Sequence, residues 1–120
     1  MNINQSLKDL GVTDESLTER QKEELDKKGF TVLPGIIDSP WLSQLRDLFE
    51  HLCEKEGAAA GMEVQQEAGT RRLADLVNKG EGFDDIYTNP ALLAAVYQVI
   101  GRDFKLGSLN SRDALPGEGH

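Results

Sequence analysis

A chain of 120 residues has room for one domain and not for two comfortable ones. Its formal charge of -8 and isoelectric point near 4.7 argue against nucleic acid or an anionic membrane as partner, since both would be repelled. A single cysteine leaves no internal disulfide, so a reducing, cytoplasmic setting is the default. Apolar residues make up 38% of the chain and the mean hydropathy is -0.45, so part of the chain is expected to be exposed or to pack on something absent. The start, Met1-Asn2-Ile3-Asn4-Gln5, lacks the basic and apolar blocks of a signal peptide. No stretch approaches the roughly 20 apolar residues that span a bilayer.

Residues 1–16 are polar, with Leu7, Leu10 and Val12 too sparse to define a face and Gly11 against a helix. A flexible arm or a short frayed helix is expected. Thr18-Glu19-Arg20-Gln21 reads as a capping box, in which the Thr18 hydroxyl and the Gln21 side chain satisfy the first turn reciprocally. The helix from Glu19 to Lys28 has acids early and lysines late, as the helix dipole favours, and Gly29 supplies a left-handed stop. Phe30-Thr31-Val32-Leu33 is aromatic and β-branched, which predicts a strand, ended by Pro34-Gly35.

Ser39 is the expected cap of the next helix, with Pro40 at its first position. Leu42, Leu45, Leu48, Phe49 and Leu52 then form one apolar stripe as far as about Glu56. Residues 57–69 are small and polar and read as a loop. Arg71 to Val77 mixes strand and helix signals. Asn89-Pro90 opens another helix, ending at Gly101, expected to bury Leu92, Leu93, Val96, Val99 and Ile100. Phe104 to Arg112 is expected to be a strand, followed by the loop Pro116 to His120.

Taken in order, these segments resemble the opening of phytanoyl-CoA dioxygenase-type proteins. The residues carrying the likeness are Leu17-Thr18-Glu19-Arg20-Gln21 and Gly29-Phe30-Thr31-Val32-Leu33-Pro34-Gly35. The helix after Ser39-Pro40, Asn89-Pro90-Ala91-Leu92-Leu93, Gly101 to Leu106, and Leu115-Pro116-Gly117-Glu118-Gly119-His120 extend it. The resemblance covers residues 17–120 and implies a non-haem iron(II), 2-oxoglutarate-dependent oxygenase with a jelly-roll core. Such chemistry needs two His and one carboxylate on one face of the iron, and in that family two of these ligands come as His-x-Asp. This sequence has no His-x-Asp, and its two histidines are His51 and His120. The resemblance therefore implies an α+β fold. A helical N-terminal layer and the first strands of a double-stranded β-helix would be cut just before the metal site, with iron(II) and 2-oxoglutarate bound by the parent and not by this chain alone. A complete protein of this sequence is not expected to be an iron oxygenase.

The resemblance also implies a role for Asn110 and Arg112, which would share one face of a pre-metal strand. Polar and cationic groups there would hold the 2-oxoglutarate carboxylate or the substrate, a task suited to a guanidinium. An ordinary solvated strand end is the competing reading, and the alternative register turns Ser111 and Asp113 inward. His120 as a lone terminal histidine makes a poor metal ligand, His51 reads as a solvated or packing residue, and Cys53 as a small apolar one. Arg71-Arg72 is expected to lie on a helix surface or to make salt bridges, given its acidic surroundings, with phosphate or CoA binding as the lesser alternative. Glu23-Glu24 and Asp84-Asp85 lack the pattern of a calcium loop. The helical residues Leu42, Leu45, Phe49, Leu92, Val96 and Ile100 are expected to back a sheet supplied by a missing C-terminal portion. A stand-alone acidic helical interaction module and a small acidic binding domain remain the rival readings.

Overall fold

The computed structural model describes residues 4–118, so His120 lies outside the described residues. The chain forms five α-helices and two β-strands among those residues, an α+β arrangement. It divides into two compact units, one of residues 4–36 with 84–105 and one of residues 37–83 with 106–118.

The first unit is helical. Helix α1 (Gln5–Asp9) starts at Asn4, whose side chain accepts from the Leu7 N–H at 2.9 Å. Helix α2 (Glu19–Lys28) carries the full capping box. Gln21 N–H donates to the Thr18 hydroxyl at 3.2 Å, and Thr18 N–H donates to the Gln21 side-chain Oε1 at 2.9 Å. Gly29 ends it at φ +80°, a conformation that only glycine adopts without strain. Helix α4 (Asp84–Thr88) leads to α5 (Pro90–Ile100), where the Asn89 side chain caps the N–H groups of Ala91 and Leu92.

Leu7, Val12, Leu17, Leu93 and Ala94 form the buried cluster of this unit, and Leu25, Leu33, Tyr97 and Phe104 pack against it. Residues 4–16, expected as a flexible arm or a short frayed helix, form the short helix α1 and a turn and contribute Leu7 and Val12 to the core beside Leu17. They reach it from a helix, a turn and a cap approach, so no single periodicity announces them. In α5, Leu93 and Ala94 are buried, whereas Val99 and Ile100, expected inside, are 64% and 44% exposed. The helix packs on α2 and α4, with Gln98 of its last turn donating to Asp26 of α2 at 3.1 Å, while Val99 and Ile100 lie outside that cover. Phe30 to Leu33, expected as a strand, pairs with no strand among the described residues. Strand propensity needs a neighbouring strand to act on.

The second unit is built on α3 (Ser39–Glu56). Its cap is Asp38, not Ser39: the Asp38 carboxylate accepts from the Trp41 N–H at 2.9 Å. A carboxylate there also complements the positive end of the helix dipole. Strands β1 (Thr70–Leu73) and β2 (Ser111–Ala114) form a two-stranded antiparallel sheet, with Arg71 opposite Asp113 and Arg72 opposite Arg112. The Arg71 to Val77 segment resolves into both of its readings, a strand and then a 3-10 turn at Leu76–Asn78. The strand expected over residues 104–112 is shorter and later, because β1 stops at Leu73 and offers nothing to pair with residues 104–110. Leu52, Leu73, Ala74, Leu76 and Phe83 are buried, and α3 packs on β1 and on the 3-10 turn Glu81–Phe83. Along the α3 stripe only Leu52 is buried; Leu45, Leu48 and Phe49 are half-buried and Leu42 is exposed. No helix of the described residues is long and apolar enough to cross a membrane.

Two substitutions check this packing. Leu7→Ala is expected to destabilise the first unit by about 2–5 kcal/mol, the usual range for emptying a buried leucine site, measured by chemical denaturation. A result near zero would return residues 4–16 to the status of an arm. Gly61→Ala places a Cβ 2.6 Å from the Arg72 carbonyl oxygen at a φ of +73°. It should cost about 1 kcal/mol or more, visible as a lowered denaturation midpoint.

Candidate functional site

The densest arrangement of polar chemistry lies where α3 meets the β1–β2 sheet in the second unit. Arg71 is its centre. Its Nη1 donates to Glu50 Oε2 at 2.8 Å and its Nη2 to Glu50 Oε1 at 2.9 Å, a bidentate fork. From the other side Nε and Nη2 donate to Asp113 Oδ2 at 2.9 and 2.6 Å. The guanidinium also stands 4.9 Å from the centre of the Phe49 ring, within the range of cation–π attraction. The sheet register makes this possible, because Arg71 and Asp113 are directly opposed across the strands. Hydrogen bonding to Arg71 holds the Glu50 carboxyl below its ordinary pKa. The same bonds from Glu50 and then Asp113 push the Arg71 pKa up.

One register step away, Arg72 and Arg112 face each other as like charges, an unfavourable pairing when uncompensated. Glu67 answers it: Arg112 Nε donates to Glu67 Oε2 at 2.6 Å, and the same oxygen lies 4.0 Å from Arg72 Nη1. Arg72 Nη1 also donates to the Gln65 carbonyl at 2.7 Å. The adjacent arginine pair therefore makes salt bridges, as its acidic surroundings implied. Further along, Lys79 lies 2.5 Å from Glu56 and 3.0 Å from Glu63. Burial works against its charge, yet the hydrogen bonds to Glu56 and Glu63 raise its pKa overall.

The two residues assigned to 2-oxoglutarate or substrate are placed apart. Asn110 precedes β2, and its side-chain oxygen accepts from the Asp75 N–H at 3.1 Å. Asp75 is the one non-glycine residue with positive φ among those described, at +55°. It is pinned further by Asn78 Nδ2, which donates to its carboxylate at 2.8 Å, and by the neighbouring Leu76 N–H, which donates to the Leu109 carbonyl at 3.0 Å. Asn110 thus anchors a strained turn at one wall of a cavity of about 390 Å³ that Glu63, Asp75 and Ser108 also line. Arg112 lines a different cleft, with Arg46, Phe49 and Ser111. In β2 the less exposed side chains are Ser111 and Asp113, the alternative register. The pairing of Asp113 with Arg71 becomes visible only once the strand register is known.

His51 is exposed on α3. Cys53 is a free, half-buried thiol whose pKa burial raises, which leaves it a poor nucleophile. Of the acidic pairs, Glu24 accepts from the Thr31 hydroxyl at 2.8 Å and from Arg20 at 3.1 Å, and these bonds lower its pKa. Asp84 accepts from the Tyr87 hydroxyl. Among the described residues no three His, Cys, Asp or Glu side chains stand together as metal ligands, so these residues do not fit an iron site, and the arrangement around Arg71 binds strands and helix together.

The Arg71 cluster sets a pH dependence. Glu50 has a lowered folded-state pKa, so its contribution is complete above the unfolded carboxylate pKa and is lost as pH falls through the folded value. Wild-type stability is expected to fall in acid, and Glu50→Gln to flatten that fall while lowering stability at neutral pH; urea titrations at several pH values measure both. An unaltered acid limb in Glu50→Gln would assign it to other carboxylates. Comparison of the chain with protein-family models, curated proteins and solved structures returns no match.

Proposed function

We propose that the chain is the N-terminal portion of an iron(II)- and 2-oxoglutarate-dependent dioxygenase of the phytanoyl-CoA type, and that it supports the catalytic core without performing chemistry. The observation that carries this reading is a sheet with too little around it. Strands β1 and β2 pair only with each other among the described residues, and a two-stranded sheet is marginal in water. In the same unit Leu42, Leu106 and Leu115 are exposed, as are Phe30, Val32 and Val99 in the helical unit. Apolar surface of this kind marks a site of further packing.

In this reading β1 and β2 are the first strands of a double-stranded β-helix, with α3 packed behind β1 through Phe49 and the Arg71 fork. The remaining strands and the iron ligands belong to a C-terminal portion. The parent enzyme hydroxylates an unactivated carbon in the cytoplasm, one oxygen atom entering the substrate and the other the succinate formed as 2-oxoglutarate loses carbon dioxide. Arg112 stays a candidate for a carboxylate of 2-oxoglutarate or substrate, since a planar guanidinium matches a carboxylate bidentately. The rival reading, an acidic interaction module, draws on the same exposed residues of α3 and α5.

An anaerobic titration with iron(II) and 2-oxoglutarate separates the two. These 120 residues are expected to bind neither jointly, and a polypeptide extended past His120 along its reading frame to bind both. Binding by neither would sink the oxygenase reading and leave the interaction module. In the extended polypeptide Arg112→Ala should raise the 2-oxoglutarate concentration needed for turnover by about 10-fold or more, the effect of one lost charge-assisted contact, with an unchanged circular dichroism spectrum. An unchanged requirement would remove Arg112 from the site.

A further inference from the structure

We infer that Glu67 is a built-in competitor at Arg112: its carboxylate holds the place of a ligand carboxylate and swings away when one binds. The inference rests on the oxygenase reading of Arg112. Arg112 Nε donates to Glu67 Oε2 at 2.6 Å, and the same oxygen lies 4.0 Å from Arg72 Nη1. The sheet register sets these two arginines face to face. Like charges directly opposed destabilise a sheet, so the space between them favours an anion, and Glu67 supplies it. A guanidinium takes any carboxylate through the same charge-assisted bonds. An acidic ligand reaching Arg112 therefore meets a carboxylate already in place.

The contact is one that can be released. The Arg112 and Glu67 side chains are 42% and 45% exposed, and an ion pair so open to water is weak. Glu67 lies outside helix and strand, yet its segment is fastened by other groups. Gln66 Nε2 donates to the Gly61 and Val64 carbonyls. Arg72 Nη1 donates to the Gln65 carbonyl at 2.7 Å, and Thr70 Oγ1 to the backbone carbonyl of Glu67 at 3.0 Å. Leu115 N–H donates to the Gly69 carbonyl at 2.9 Å. None of these bonds uses the Glu67 carboxylate, so that group can leave by rotation of its own side chain while the backbone stays.

Its departure would expose two facing guanidiniums to the incoming acid. Room for the rest of a ligand adjoins them, because Arg112 borders a cleft of about 410 Å³ that Arg46 also lines. A ligand that binds only the open arrangement has its affinity reduced in proportion to the fraction of molecules in that arrangement. Glu67 thus raises the concentration at which the site fills.

An anaerobic equilibrium titration of 2-oxoglutarate with iron(II) present, in the polypeptide extended past His120, tests this. Glu67→Gln should lower the dissociation constant by about 2- to 5-fold, in keeping with the strength of an exposed ion pair. In an Arg112→Ala background the same substitution should change nothing, whereas the general effect of one negative charge fewer would persist there. Should circular dichroism show Glu67→Gln unfolded, Glu67→Asp, which keeps the charge and shortens its reach, is held to the same two expectations. Binding that the substitution leaves unchanged, weakens, or tightens equally without Arg112 would overturn the inference and leave the oxygenase reading standing. Absence of binding in every variant, wild type included, would remove both.

Discussion

Scarcity of buried apolar side chains is the constraint under which this structure is built. Leu7, Val12, Leu17, Leu93 and Ala94 are buried in one unit and Leu52, Leu73, Ala74, Leu76 and Phe83 in the other. Cores of that size contribute little against the entropy of ordering the chain. The ends of the elements therefore have to be held locally, and they are. Asn4, Thr18, Asp38 and Asn89 each satisfy N–H groups that a helix start would otherwise leave open. Asn4 also donates to Asp103, and Gln21 serves both its capping box and the Val32 carbonyl.

Charge is arranged to the same end. Arg71 and Lys79 each sit between acceptors drawn from separate segments, and Arg72 and Arg112 both reach Glu67. Arg71 joins α3 to β1 and β2; Glu67 allows Arg72 and Arg112 to face each other across the sheet. Individual exposed ion pairs contribute little, and side chains such as Arg71 are more than a third exposed. What the shared guanidinium adds is a link: it ties Glu50 of α3 to Asp113 of β2 from its own place in β1.

The functional reading follows from what this arrangement leaves open. Helices capped at both ends present apolar residues to solvent, and a two-stranded sheet stands without further strands among the described residues.

Local chemistry by itself determined the helices. The Thr18–Gln21 box, the Gly29 and Gly101 stops and the Asn89-Pro90 start are decided by neighbours three or four residues apart, and all are legible in order along the chain. Even the Asp38 cap was missed only by one position, since two capping residues stand side by side. Contacts between distant segments were decided by tertiary structure alone. No periodicity marks Leu7, Val12 and Leu17 as one cluster, because they arrive from three different backbone conformations. The register that opposes Arg71 to Asp113, and turns Ser111 inward in place of Arg112, depends on where β1 stops, and Asn110 became a turn anchor because Asp75 bends the chain toward it. Phe30 to Leu33 has strand composition throughout, but a strand exists only with a partner, and its partner is not a property of those four residues.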